Sequence, residues 1–268
     1  MKIKDTVIAV RGGGDLATGT IHYLVSCGFK VVVLEIARPT AIRRYAAFCE
    51  AMFNGQAVVE NMTAKRVETV DEIEECWHLG QVPMVEDANG YWIEKLKPQI
   101  VVDAILAKKN MGTNKDMAPL VIGLGPGFRA GVDVDIVVET MRGHQLGRLI
   151  LEGQAIPNTG VPGIIGGFGK ERVIHSPAAG VMKNVSCISD IVKKGQIIAY
   201  VGETPVYASL DGVLRGLLRD GFEIPKGFKI ADIDPRISEQ GNCFTISDKA
   251  RTIAGGVLKA VLMYGNVE

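Results

Sequence analysis

Apolar residues are distributed along the chain in two ways, as short dense runs and at helical spacing. Val7-Ile8-Ala9-Val10 is a dense run. Three glycines, Gly12, Gly13 and Gly14, follow it, and then Ala17, Ile21, Leu24 and Val25 recur three and four positions apart, the period of one helix face. Val31-Val32-Val33-Leu34 is a second dense run and closes on Glu35. The opening is therefore strand, glycine turn, helix, strand. Further on, the pattern predicts a helix over 41–53 with Thr40 as N-cap, strands over 57–60, 66–69 and 82–85, and a helix over 70–78. Apolar strands at 99–106 and 119–128 come next, then two strands at 132–140 and 145–151. Ser247 caps a closing helix over 248–263, in which Gly255-Gly256 predicts close packing against the first part of the chain.

The glycine turn fits G-x-G-x-x-G/A, with Gly12, Gly14 and Ala17 in the three fixed places and Gly13 and Asp15 between them. In the dinucleotide fold the first glycine makes the tight turn, the second admits a pyrophosphate to the backbone, and the small third residue lets helix and strand pack. Glu35 stands 21 positions after Gly14, where a ribose-binding acid belongs. The expected class is α/β with a Rossmann-like N-terminal domain over 1–156, and the expected ligand is a nucleotide.

Residues 157–169 are dense in glycine and proline and mark a boundary, taken as a linker over 157–171. A repeat follows. The stretch Ser176 to Met182 returns as Ala208 to Leu214, and Ile191 to Gly195 returns as Glu223 to Gly227, both 32 positions later. This duplicated β unit, over 172–246, resembles a biotinyl/lipoyl-like barrel-sandwich hybrid. Its central hairpin, near Gly202-Glu203-Thr204-Pro205, contains no lysine, so a swinging-arm carrier is not expected. Asp232 and Asp234 alternate on one strand face ahead of Arg236 and read either as exposed polar positions with an ion pair or as a rim for a partner or cation. The helix of 247–268 closes the chain.

Thirty basic and thirty acidic residues cancel, which gives no electrostatic reason to expect nucleic acid or an anionic membrane surface. No apolar run approaches the ~20 residues that span a bilayer. Five scattered cysteines without a C-x-x-C pair, and a start that runs into a strand without an apolar leader, lead us to expect a reduced, cytoplasmic protein. Four dispersed histidines give no metal spacing.

Other candidate ligand-binding positions lie at strand ends. Asp103 is either a cleft acid, with Lys108 and Lys109 beyond it, or an acid satisfied by loop amides. Gly125 and Gly127 flank Pro126 in a second glycine turn able to approach a ligand closely. Asp133, Arg142, His144 and Arg148 are expected near one hairpin, with His144 read either as a proton donor or as a hydrogen-bonded structural residue. Arg43 and Arg44, in the first turn of the 41–53 helix, either face an anion or lie on the surface.

Several longer motifs resemble one family: Leu34-Glu35-Ile36, Pro39 to Arg44, Ile122 to Phe128, Val138-Glu139-Thr140, Arg142-Gly143-His144, Leu146-Gly147-Arg148, Thr159 to Gly163 and Asp232 to Arg236. The chain resembles the YqeB-type accessory, or maturation, proteins of the selenium-dependent molybdenum hydroxylase system. The resemblance implies a client molybdenum hydroxylase as partner, and it carries over no catalytic residues. A molybdenum cofactor with its phosphate and flat ring suits a glycine cradle on a helix N-terminus. Selenium transfer would favour a reactive thiol, for which Cys187 and Cys243 are the candidates. Two alternatives stand beside this reading: an NAD(P)-dependent oxidoreductase, which lacks a recognisable proton donor, and a non-enzymatic scaffold. Whether the protein is an enzyme is left open.

Overall fold

The computed structural model describes residues 2–265 and divides into two compact units. Of the described residues, the first comprises 2–39, 47–158 and 246–265, and the second comprises 40–46 and 159–245.

The chain of the first unit forms β1 (Val7–Arg11), α1 (Asp15–Ser26), β2 (Lys30–Glu35), α2 (Ala51–Asn54), β3 (Gln56–Val59), β4 (Met62–Arg66), α3 (Val70–His78), β5 (Val82–Glu86), α4 (Tyr91–Leu96), β6 (Ile100–Asp103), β7 (Leu120–Leu124), β8 (Arg129–Ala130), β9 (Ile136–Val138), β10 (Leu149–Ile150) and β11 (Gly153–Gln154). A nine-stranded sheet runs in the order β10-β9-β7-β6-β1-β2-β5-β4-β3, parallel from β9 to β4 and antiparallel only at its two edges. Its central strands are apolar at nearly every position because both faces are covered. Ile8, Val10, Val31 and Val33 pack in a cluster that includes Ile21 and Leu24 of α1, while Ala9, Val32 and Leu34 pack with Ile73, Trp92 and Ile93 of α3 and α4. The last helix of the chain joins the α1 side through Ile253 and Val257.

Local sequence explains the ends of α1. Gly14 is its N-cap, and beyond Ser26 the chain turns through Gly28 at φ +92. The N–H groups of Gly28 and Phe29 return to the carbonyls of Val25 and Leu24, so the last turn is closed by a Schellman pattern that needs glycine there. At the start of α3, Thr69 and Glu72 form a reciprocal capping box.

The expected helix over 41–53 is not formed. Arg44–Ala46 and Phe48–Glu50 are single 3-10 turns, and only Ala51–Asn54 is α-helical. Two N–H groups that a continuous helix would use internally go to other elements: Phe48 donates to the Thr18 hydroxyl and Cys49 to the Gly13 carbonyl. Residues 40–46 belong to the second unit, where the Ile42 carbonyl accepts from Leu217. Tertiary hydrogen bonds have overridden the helical period here.

The second unit contains β12 (Val173–His175), β13 (Gly180–Asn184), β14 (Ile191–Val192), β15 (Ile197–Val201), β16 (Thr204–Tyr207), β17 (Gly212–Leu217), β18 (Glu223–Ile224) and β19 (Lys229–Asp234). They form two open four-stranded sheets, β12-β19-β17-β14 and β16-β15-β13-β18, and among the described residues no sheet closes into a barrel. The 32-residue sequence repeat is visible directly, since β13, β14 and β15 start 32 residues before β17, β18 and β19. Each short strand pairs with the long strand of the other repeat: β14 with β17, and β18 with β13. Equivalent glycines, Gly195 and Gly227, take φ of +84 and +81 in the two turns. In the first unit again, α5 (Asp248–Gly265) follows, with Ser247 accepting from the Ala250 N–H at 3.2 Å.

Candidate functional site

Parallel strands of the first unit carry most of the candidate residues to one edge. The chain runs from β1 to β2, goes out to the edge strand β3, comes back inward through β4 to β5, and only then crosses to β6 on the other side of β1. Where strand order reverses in this way, a crevice opens beyond the C-terminal ends of the two strands. Gly12–Gly14 follow β1 at this point, Glu35 ends β2, Asp103 ends β6, Gly125 follows β7, and the segment 139–148 follows β9.

The three glycines of the first turn do different things. Gly12 has φ +94, and a Cβ there would lie 3.1 Å from the backbone of Ala104 and Ile105, so both conformation and space exclude a side chain. Gly13 donates its N–H to Glu35 Oε2 at 2.8 Å and accepts at its carbonyl from Cys49 at 2.8 Å. Gly14 faces open space, with no heavy atom within 4 Å of a Cβ placed on it. Ala17, on the first turn of α1, is fully buried in the cluster where helix and sheet meet. Asp15 sits in the first turn of α1, where the helix dipole favours a carboxylate.

Glu35 is turned inward onto the glycine turn. Its two oxygens accept from Gly13 and from its neighbour Ile36, at 2.8 and 2.9 Å. Burial raises its proton affinity above the ordinary 4.5, and these two hydrogen bonds oppose that rise. Cys49 is buried beside the turn. Its thiol is pushed well above 9.0, first by burial and then by the charges of Glu35, Glu50 and Asp15. A thiolate nucleophile is thus disfavoured at Cys49, and the turn lies in a negative field.

Asp103 closes the other side of the crevice in a buried network. Its Oδ1 accepts from the Ile105 N–H at 3.0 Å, and its Oδ2 accepts from the Thr113 hydroxyl at 2.5 Å and stands 3.5 Å from the Arg11 guanidinium. Arg11 also donates to the Thr113 hydroxyl oxygen and, at 3.4 Å, to the Met111 carbonyl. Burial raises the Asp103 carboxyl above 3.8, while Thr113, Ile105 and Arg11 pull it back. Sequence reasoning singled out Asp103 without its partners. Arg11, the one charge in the apolar run of β1, was the signal available, whereas Thr113 carried none.

The second glycine turn is tightly packed. Gly125, at φ +77, faces Thr140 so closely that a Cβ would stand 2.4 Å from its hydroxyl, and a Cβ on Gly127 would stand 2.8 Å from the Lys109 backbone. Glu139, buried between these elements, accepts from the N–H groups of Thr140 and Met141 at 2.7 Å each and of Ile156 at 2.8 Å. It lay in one of the motifs quoted above, but its sequence neighbours did not reveal that it binds three amides. The four residues expected at the neighbouring hairpin have separate partners or surroundings. Arg142 makes a bidentate pair with Asp248 at 2.9 and 3.0 Å, Arg148 bonds Gln145, Asp133 accepts from Arg129, and His144 is exposed.

In the second unit, Asp232 and Asp234 are buried. Arg172 holds the first with two hydrogen bonds of 3.0 and 3.1 Å, and Arg236 holds the second at 2.8 and 3.0 Å. Cys187 is exposed and Cys243 is buried, with burial raising its thiol above 9.0. Among the described residues, no three or more His, Cys, Asp or Glu side chains gather so as to hold a metal ion. No described helix is long and apolar enough to cross a membrane.

Over 257 residues, 96% of its length, the chain is 48% identical to a protein of Escherichia coli (strain K12). That relative is YqeB. It is described as uncharacterized, and the chain spans 47% of its length, so the likeness to YqeB concerns about half of that protein. No family model matches the chain. Among solved structures, the product-bound ectoine utilization protein EutE (DoeB) from Ruegeria pomeroyi is 9% identical, covering 84% of this chain and 56% of that one with a TM-score of 0.23. An aspartoacylase family protein from Mesorhizobium loti is 10% identical, covering 80% and 59%, at 0.24. TcdA (CsdL) is 10% identical, covering 96% and 89%, at 0.30. Superpositions this loose carry no argument about fold or chemistry.

Proposed function

We propose that this chain acts as an accessory protein in the maturation of selenium-dependent molybdenum hydroxylases. In this reading its first unit is Rossmann-like and holds a nucleotide or the nucleotide-bearing molybdenum cofactor, and its second unit is a barrel-sandwich-type module that docks the client hydroxylase. Support for the pathway comes from the motifs running from Leu34 to Arg236. Support for the ligand rests on Gly14, whose backbone caps α1 and faces open space beside the β1–β6 crevice. A phosphate fits that face, because α1 presents the positive end of its dipole there. The ribose and ring would lie toward Glu35, which accepts hydrogen bonds. The exchange of short strands between the two β repeats supports the barrel-sandwich comparison.

Calorimetric titration with ATP, CTP and molybdopterin dinucleotide tests the ligand. Saturable binding by the wild-type chain, abolished in Gly14→Val at unchanged thermal stability, is expected. Absence of binding to all three, or equal binding in the variant, would overturn the assignment.

One observation favours a non-enzymatic scaffold as the second reading. The Gly13 N–H, a donor a pyrophosphate would need, is already engaged by Glu35, and Arg11, Asp103 and Thr113 satisfy one another. A nucleotide that co-purifies with the protein, detected by absorbance and mass spectrometry, would exclude this reading.

A further inference from the structure

In the second unit, Arg215 projects from β17 into a group of charged side chains where its own hydrogen bonding is unmet. Its side chain is 13% exposed, its Nε is buried without a hydrogen-bond partner, and its one ion pair is a 3.6 Å approach of NH1 to Asp234 Oδ2. Neither nearby carboxylate turns an oxygen to it at hydrogen-bond distance. Asp234 is engaged by Nε and NH2 of Arg236, and Asp232 receives both of its bonds from Arg172.

A second cation approaches along the segment 40–46. Leu217 of β17 donates to the Ile42 carbonyl, and Gly216 leaves room for that backbone, since a Cβ there would stand 3.2 Å from the Ile42 oxygen. The next residue, Arg43, is 8% exposed and donates to the carbonyls of Asn242 and Thr245 at 3.1 and 3.3 Å. Burial and the charge of Arg43 are the two largest causes that lower the proton affinity of Arg215. A guanidinium taken out of water without acceptors is costly, and a fork of N–H groups in that state matches the oxygens of a tetrahedral oxyanion.

We propose that Arg215, with Arg43 beside it, forms an anion site inside the second unit that takes a small tetrahedral oxyanion of the phosphate class. This site is separate from the glycine turn of the first unit and does not rest on the function proposed above. The ligand's oxygens would supply acceptors to the terminal guanidinium nitrogens of Arg215, which carry what exposure the side chain has, since its Nε is buried. The exposed face of Arg236, at 43%, lies at the edge of the same group.

The test compares the wild-type chain with Arg215→Met by thermal unfolding, with and without inorganic phosphate. In anion-free buffer the variant is expected to melt about 2–4 °C higher, because it removes a buried charge that lacks acceptors. Phosphate should raise the melting temperature of the wild type and leave the variant unmoved. Gly14→Val should keep the phosphate effect, which separates this site from the glycine turn. If Arg215→Met does not fold, Arg215→Lys serves, with at least a tenfold loss of phosphate affinity expected by calorimetry. AMP as a second probe separates the sources: equal affinity for phosphate and AMP indicates the free ion, and tighter AMP binding indicates a phosphoester. A wild-type protein indifferent to both probes, or an effect of equal size in the Arg215 variants, would overturn the proposal.

Discussion

The carboxylate of Glu35 caps the backbone N–H of Gly13 at 2.8 Å, so the acid that ends β2 and the glycine turn that follows β1 form one hydrogen-bonded unit. Burial raises this carboxyl above 4.5. The folded protein therefore keeps the proton at a pH where the unfolded chain has released it, and stability present in full below 4.5 declines as pH rises through the raised value. Relative to Glu35→Gln, the wild type should lose melting temperature as pH climbs above 4.5. A difference that stays level over that range would contradict the burial argument.

Asp103→Ala strands Arg11 in a site where the arginine is 6% exposed. Breaking one partner of a buried pair typically costs about 3–5 kcal/mol, and that loss is expected in urea unfolding. Thr113→Val removes the hydroxyl between them and should cost about 1–3 kcal/mol. The double variant is expected to cost less than the sum, because both changes disrupt one network.

Gly12 and Gly14 should respond to alanine by different amounts. Gly12→Ala meets the Ala104 and Ile105 backbone at 3.1 Å with φ at +94, and should be destabilised by more than about 1 kcal/mol. Gly14→Ala meets nothing, and should cost only the preference of an N-cap for glycine over alanine, about 0.5 kcal/mol. Chemical denaturation of the two variants would reveal any failure of this contrast.

The glycine pair inside α5 divides in the same manner. Gly255 is exposed and faces no neighbour, so Gly255→Ala should gain about 1 kcal/mol of helix propensity. A Cβ on Gly256 would stand 2.4 Å from the Gly147 carbonyl, and Gly256→Ala should lose about 1–3 kcal/mol. Melting temperatures moving in the same direction would show that the α5 packing is wrong.

How far the sequence disclosed this arrangement depends on how local each cause was. The path from Val7 through the glycines to Glu35 is written in adjacent residues, and so is the 32-residue β repeat, whose equivalent strands start at the same offset. The segment 41–53 misled because its helical period competes with the Thr18 hydroxyl and the Gly13 carbonyl, both far away in sequence. Gly255 and Gly256 looked alike until a neighbouring backbone told them apart. The strand ends that carry Glu35, Asp103 and Gly125 were legible, but which way each side chain turns was not. Glu35 looks inward because an amide waits there, and Asp232 and Asp234 are buried because Arg172 and Arg236 reach them.

The seven residues from Thr40 to Ala46 have a bearing on biosynthesis. They leave the ribosome before most of the first unit exists, yet their partner Leu217 is made more than 170 residues later. Until then the Ile42 carbonyl and the Arg43 and Arg44 side chains must wait without their final acceptors and donors. A gene truncated to 159–245 would encode every strand from β12 to β19 and lack the segment, translated at the other end of the message, whose Ile42 carbonyl accepts from Leu217.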